Sequence, residues 1–471
     1  MKRYSCFMNQ ICKLISRLVI FAFLVVIADS CNRISKSSSP GTIASSENRY
    51  HPELSKWVNW NVLFTSTTNE SRRNQTMDSI EKYVTDYMTN HGMTFPVSQF
   101  FFSCPCDPGL VNFTVTPLGA SGSAPVPPPP PGKGVGGSGD GVEYVNQNNL
   151  FSIDSIYQNG KLPDTSMVIL NTSSVDNTKT LAVMDTGLDS VYYQNHFQQL
   201  LWSDPSGAQN IRNFQFFMNG QPFDYFWDDD KYKHGTAVTG LALQALEKFN
   251  NQNRVKPRVM ILKVLDDKRA GSTFTVSCAL SYVIQHQATI VNASLGYYGI
   301  MDSILLKYAD RTISDVQNPI PVFAAAGNLP GDHKGTQLCF NPSNGNELKP
   351  GRLFYPACFS TSHPNFITVT GLSDSLNSCF YQNYSNVFVN VGVVTNPGTV
   401  NCCKFLVRFS DSGYEGSSFA TPILSGEIMG CLLTIPGSTI QSCLDLISPA
   451  KSPVPNNAVT NQGRFLTYTT P

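Results

Sequence analysis

Three short stretches of this 471-residue chain place reactive side chains among small residues. LAVMDTGLD (181–189) puts Asp185 at the end of an apolar run, with Gly187 available for a tight turn. KHGTAVTG (233–240) sets His234 before a run of small residues, and GSSFATP (416–422) sets Ser417 and Ser418 side by side before a proline. A serine hydroxyl is a weak nucleophile at neutral pH and needs an adjacent base. Histidine can take that proton and return it to a leaving amine, because its unperturbed pKa of about 6.5 lies near working pH. A buried carboxylate holds the imidazole in the right tautomer and stabilises the imidazolium that forms. The tetrahedral intermediate then needs donors for its oxyanion. FAAAGN (323–328) ends in Asn328, whose amide can supply one, and the backbone N–H of Ser418 at a helix start can supply another. Taken singly, an Asp at a strand end is ordinarily a turn residue and a Ser at a helix start an N-cap. Their joint order, Asp then His then Ser, is one of three chain orders in which such a triad occurs.

The elements that would position these groups alternate. TLAVMD (180–185), RVMILKVLD (258–266), ATIVNASLG (288–296), IPVFAAAGN (320–328) and NFITVTGLS (365–373) read as buried strands. GTAVTGLALQALEKF (235–249) and SCALSYVIQHQ (277–287) have helical spacing between them. Apolar runs rich in Val and Ile, separated by helices, predict an α/β fold with a mostly parallel sheet covered on both faces. The polar residues fall at the ends of those runs, where open α/β sheets place their sites.

DTG, HGTAVTG, SLG, AAGN and GSSFATP, in this order, resemble the motifs of the subtilisin-like serine proteases, the subtilase family, over residues 175–435. The resemblance implies a three-layer α/β/α domain and an endopeptidase working through an acyl-enzyme on protein or peptide substrates. By motif, Asp185, His234 and Ser418 become the catalytic triad and Asn328 the oxyanion donor. Ser294, Leu295 and Gly296 align with the strand that pairs with substrate backbone. Ala325, Ala326 and Gly327 are expected to line the pocket for the residue before the cut, and Ala324 to Gly327 hold no acidic side chain that would select a basic one. Ser417 takes the family's usual threonine position and keeps a hydroxyl there. A helix starting near Ser418 would hold Pro422 in its first turn, where a missing N–H is tolerated. Lys233 replaces the glycine that usually precedes the histidine, and residues 217–233 form an insertion expected near the cleft. No cofactor is required for this chemistry. Structural calcium occurs in the family, but no ligand set follows from the sequence. Asp228, Asp229 and Asp230 are read as a solvated charge run, because three consecutive carboxylates cannot face one ion without a looping backbone. The alternative function is an inactive homologue used as a surface binding module, whose mark would be loss of Asp185, His234 or Ser418.

Outside this region, a basic head precedes an unbroken apolar run over residues 18–28, shorter than the roughly 20 residues of a spanning helix. Residues 1–30 therefore read as an export signal. IADSC ends at Cys31, a relaxed lipobox that would make Cys31 the lipidated first residue of an envelope-anchored chain; simple cleavage would instead release a secreted one. Residues 31–49 are a polar tether, and 50–118 a small α+β segment, with a helix over 79–92 and strands over 96–104 and 110–118. The segment has the position and size of a propeptide. A Pro/Gly-rich stretch over 119–142 marks a boundary, and 143–471 is the peptidase domain. Thirteen cysteines suit an oxidising compartment, whereas Cys104 and Cys106 lack the spacing of a zinc or redox motif. With 33 basic and 33 acidic residues the chain carries no footprint for nucleic acid. Oligomeric state is not encoded in any pattern found.

Overall fold

The computed structural model describes residues 58–468, apart from 93–96, 118–127, 129–141, 153–155, 158–173, 193–197, 204–211, 214–225, 251–254, 329–345, 374–375, 380, 395–403, 408–409 and 450–459. The export signal, Cys31, the tether and most of the Pro/Gly-rich stretch and the 217–233 insertion lie outside the described residues.

The first elements are β1 (Val58–Phe64), α1 (Glu70–Asn90), β2 (Val97–Cys104), β3 (Asp107–Pro117) and β4 (Val142–Gln147). They form one antiparallel sheet in the order β2-β3-β1-β4. Ile80, Val84 and Met88 of α1, spaced four apart, pack on Val58, Trp60 and Phe113 of the sheet. Asn69 caps α1 by accepting from Arg72 N at 2.9 Å. The helix thus begins nine residues before the predicted start at 79, in a polar stretch that hydrophobic spacing does not mark. Strand β4 follows the Pro/Gly-rich stretch, in the part assigned to the peptidase domain, yet it pairs with β1. That stretch therefore has strands of one sheet on both sides.

The remaining elements are β5 (Leu150–Ser152), β6 (Ile156–Tyr157), β7 (Ser174–Asp185), α2 (Ser190–Tyr192), β8 (Arg212–Asn213), α3 (His234–Asn250), β9 (Val255–Lys263), β10 (Ala270–Ser272), α4 (Thr273–Gln285), β11 (Ile290–Ala293), β12 (Tyr297–Tyr298) and α5 (Ser303–Ser314). Then come β13 (Val322–Ala325), β14 (Phe354–Tyr355), β15 (Phe366–Leu372), β16 (Val391–Val394), β17 (Lys404–Val407), β18 (Ser410–Glu415), α6 (Ser417–Thr434), α7 (Ile440–Ile447) and β19 (Phe465–Thr467). Eight strands form the central sheet in the order β19-β16-β15-β13-β11-β7-β9-β8, and each pairing in it is parallel.

Side chains alternate across this sheet with the two-residue period of a strand. Ala182 and Met184 of β7, Met260 and Leu262 of β9, and Val322 and Ala324 of β13 enter one core with α4 and α5. Leu181 and Val183, Val259 and Ile261, and Phe323 enter the other with α3 and α6. This is the three-layer α/β/α arrangement that the buried runs predict. Helices α3 and α6 approach closely because Gly426 has no side chain: a Cβ there would fall 2.0 Å from the Ala242 carbonyl oxygen. Lys248 of α3 and the buried Glu427 of α6 add an ion pair at 3.1 Å.

The N-terminal sheet is fastened to α4 and α5. A disulfide joins Cys104 at the end of β2 to Cys278 in α4, and the Cys106 sulfur lies with them, all three within 4.8 Å of one another. Asp107 accepts from Tyr308 Oη and Arg311 Nη1 of α5, both at 2.7 Å. Asn61 donates to Thr273 Oγ1 at 2.8 Å and Asn148 Oδ1 accepts from Phe274 N at 3.0 Å, at the start of α4. A second disulfide, Cys431–Cys443, ties α6 to α7.

Candidate active site

Asp185 is the last residue of β7, at the carboxyl end of a central strand, and His234 is the first of α3. His234 Nδ1 and Asp185 Oδ1 lie 2.7 Å apart, with both side chains buried. The same oxygen accepts from Thr186 N at 2.7 Å. Asp185 Oδ2 and His234 Nε2 are buried and make no hydrogen bond among the described residues. Thr186 staples the two elements, its Oγ1 accepting from Gly235 N at 2.8 Å and its carbonyl from Lys263 Nζ at 2.7 Å.

The aspartates before His234 correct the expectation of a solvated run. Asp228 and Asp230 are buried, and both serve the first turn of α3. Asp230 Oδ2 accepts from His234 N at 3.0 Å. Asp228 Oδ2 accepts from Thr236 N at 2.9 Å and Thr236 Oγ1 at 2.7 Å. Burial pushes the Asp228 carboxyl up to about 7, against the pull of its Thr236 bonds. Asp229 points the other way and pairs with Lys263. The usual glycine at position 233 also finds its reason here, since Lys233 has φ 55°, in the left-handed region. Its Nζ returns to the Asp228 carbonyl and lies 3.4 Å from Asp189 Oδ2. A signal for the capping was present: acidic residues just before a run of helix formers.

Helix α6 begins at Ser417, one residue earlier than expected, behind Gly416 with φ 133°. Pro422 is thus its sixth residue, not part of the first turn. The N–H that proline lacks would have served the Ser418 carbonyl. Ser294 Oγ donates to that oxygen instead, at 2.8 Å. The proline therefore opens a bond between the nucleophile candidate and the 294–296 segment after β11. Ser294 is held in turn by Asn292 Nδ2 at 2.9 Å.

Ser417 does more than keep a hydroxyl. Its Oγ accepts from Gly327 N at 3.0 Å, and its N donates to Asn328 Oδ1 at 3.0 Å. With Oδ1 so engaged, Nδ2 is the donor end of Asn328, close to Gly416: a Cβ on that glycine would lie 3.4 Å from Nδ2. Phe419, next to Ser418, packs on the His234 ring with centroids 5.0 Å apart. Of the four residues singled out by motif, Asp185 and His234 meet directly, and Asn328 reaches the start of α6 through Ser417. Ser418 adjoins the His234 ring through its neighbour Phe419, with no hydrogen bond on His234 Nε2 among the described residues. Leu295, Ala325 and Ala326 are buried beside them, and Ala326 N donates to Val369 O at 2.8 Å. Among the described residues, the sulfurs of Cys104, Cys106 and Cys278 are the one such compact trio of His, Cys, Asp or Glu ligand atoms, and two of them are already spent in the Cys104–Cys278 disulfide.

The subtilase family model matches residues 176–434, more than half of the chain. The chain belongs to the subtilase family. It is 23% identical over 303 residues to subtilisin-like protease 1 of Plasmodium berghei (strain Anka), covering 60% of this chain and 47% of that protein. It is 23% identical over 256 residues to subtilisin-like protease 3 of Plasmodium falciparum (isolate 3D7), covering 51% of this chain and 30% of that protein. This subtilase therefore spans less than half of either relative. The crystal structure of a cold adapted subtilisin-like serine proteinase is similar at 19% identity and a TM-score of 0.41, over 64% of this chain and 92% of that one. The layer architecture rests on the strand order above and not on that alignment.

Proposed function

We propose that this chain is an exported serine endopeptidase that hydrolyses protein or peptide substrates through an acyl-enzyme. The observation that carries the reading is the buried His234–Asp185 contact at 2.7 Å, with the ring's other nitrogen uncommitted and the ring packed on the neighbour of Ser418. A substrate would lie as an added strand along residues 294–296. Ser418 Oγ attacks the scissile carbonyl carbon while His234 Nε2 takes its proton, and Asp185 stabilises the imidazolium. Asn328 Nδ2 donates to the oxyanion as the tetrahedral carbon forms. His234 returns the proton to the amine as the C–N bond breaks, and water attacks the ester by the same path in reverse.

The disulfides Cys104–Cys278 and Cys431–Cys443 support an oxidising compartment and hence export. The N-terminal sheet supports a propeptide reading, because it packs on the peptidase layer and precedes it in the chain. Calcium remains outside this mechanism. The test is the full-length chain beside Ser418→Ala, followed by peptide hydrolysis and by electrophoresis with and without reductant. The reading expects hydrolysis and a shortened chain from the wild type and neither from Ser418→Ala. It further expects the cut N-terminal fragment to separate under reduction alone, since Cys104–Cys278 bridges it to α4. Equal hydrolysis by both proteins would end the proposal.

A further inference from the structure

The pocket expected beside Ser418 has the 294–296 segment as one wall and 325–327 as the other. Both walls end in glycine, and the edge of a single aromatic ring touches both. A Cβ at Gly296 would fall 2.2 Å from Phe354 Cε1 and 2.4 Å from its Cζ; one at Gly327 would fall 2.8 Å from Cδ1 and Cε1 of the same ring. Phe354 is only 6% exposed, so the ring sits in the slot and does not flank it.

The ring is also held there. β14, which carries Phe354, pairs antiparallel with β12, setting Phe354 opposite Tyr298 and Tyr355 opposite Tyr297. The Tyr298 ring meets Phe354 edge-on with centroids 4.8 Å apart. Tyr298 Oη in turn donates to the Asn328 carbonyl at 2.8 Å. Asn383 closes the same side, its Nδ2 donating to Ala326 O and its N to Gly327 O, at 2.7 and 2.9 Å. Moving Phe354 aside would disturb the very wall that leads into Asn328.

We propose that Phe354 plugs this pocket and restricts cleavage to bonds that follow glycine, alanine or serine. The proposal rests on the serine-peptidase reading above and deepens it. A methyl or hydroxymethyl group needs little more room than the glycine walls leave. A large side chain must displace a packed aromatic ring, and close-packed interiors resist added volume. The side chains and glycines described as meeting there, Gly296, Gly327, Phe354 and Asn383, carry no charge to reward a basic or acidic residue.

The test compares matched chromogenic peptides that differ only in alanine or phenylalanine before the scissile bond. Enzyme concentration is fixed by fluorophosphonate titration of the full-length chain. Wild type is expected to favour alanine by on the order of 100-fold in kcat/KM, the scale at which pocket size discriminates. Phe354→Gly should raise turnover of the phenylalanine peptide by at least about 10-fold and erase the preference. Phe354→Val, which keeps an apolar filler but removes the ring, should fall between the two and guards against a Gly variant that does not fold. Wild type that titrates fully yet cleaves both peptides equally overturns the plug and keeps the peptidase. Wild type that takes up no fluorophosphonate overturns the peptidase reading, and the plug with it.

Discussion

The helices carrying His234 and Ser418 lie against each other on one face of the sheet, yet their first turns are built differently. α3 starts under two buried carboxylates, Asp230 on His234 N and Asp228 on Thr236. α6 starts behind a glycine, and its first N–H goes to a neutral amide oxygen, Asn328 Oδ1, at 3.0 Å. A helix N-terminus carries about half a positive charge and attracts anions. In α3 the first-turn N–H groups are taken up by these two carboxyl groups, which holds His234 in place. In α6 that charge meets a neutral amide there, and the mechanism proposed above leaves the rest for an anion formed during the reaction. On that proposal, the same local feature serves rigidity in one helix and transition-state stabilisation in the other.

The largest effect should come from the pair that orients the base. Asp185→Asn keeps the shape but favours the wrong tautomer, and should lower kcat about 10⁴-fold while KM changes little. Next is the α6 side. Asn328→Ala removes one oxyanion donor and should lower kcat about 100- to 1,000-fold, again with KM nearly constant. A matching rise in KM would mean that Asn328 binds substrate and not the oxyanion.

The capped side should answer mainly in stability. Asp230→Ala leaves His234 N without its acceptor and should cost about 1 kcal/mol in chemical denaturation, whereas Asp230→Asn should restore most of it. Asp228 supplies a pH signature. Its folded pKa is raised to about 7, so between about 4 and 7 the folded chain holds a proton that the unfolded chain has released. The contribution of this group is therefore complete at acid pH and is lost as pH rises through about 7. Asp228→Asn should flatten that part of the stability–pH curve. An unchanged curve would remove Asp228 from the account.

Much of the site was legible because its chemistry is local. Asp185, His234, Asn328 and Ser418 each sit in a short run of small residues at an element end, and the parallel sheet follows from apolar runs of strand length. The unread features depend on partners distant in the chain. Nothing in VEYVNQ points to Val58–Phe64 as its neighbour, and Cys104 finds Cys278 across 174 positions. The aspartates at 228 and 230 looked solvated because charge alone does not reveal burial; only the folded first turn of α3 supplies the donors they meet. Pro422 lies beyond the first turn whether the helix starts at Ser417 or Ser418, and the carbonyl its missing N–H frees is met by Ser294, a residue 124 positions away. Phe354 belongs to no motif, and its role appears only once two glycines from separate segments face the same ring.

The most direct test of the central claim, that Ser418 is activated through His234 and Asp185, is the rate of covalent labelling by a fluorophosphonate. It is measured on wild type, Asp185→Asn and Ser418→Ala at matched concentration, with the labelled peptide mapped. The account predicts a label on Ser418 alone, slowed at least about 1,000-fold in Asp185→Asn and absent from Ser418→Ala. Labelling at equal rates in wild type and Asp185→Asn, or on another residue, would contradict it.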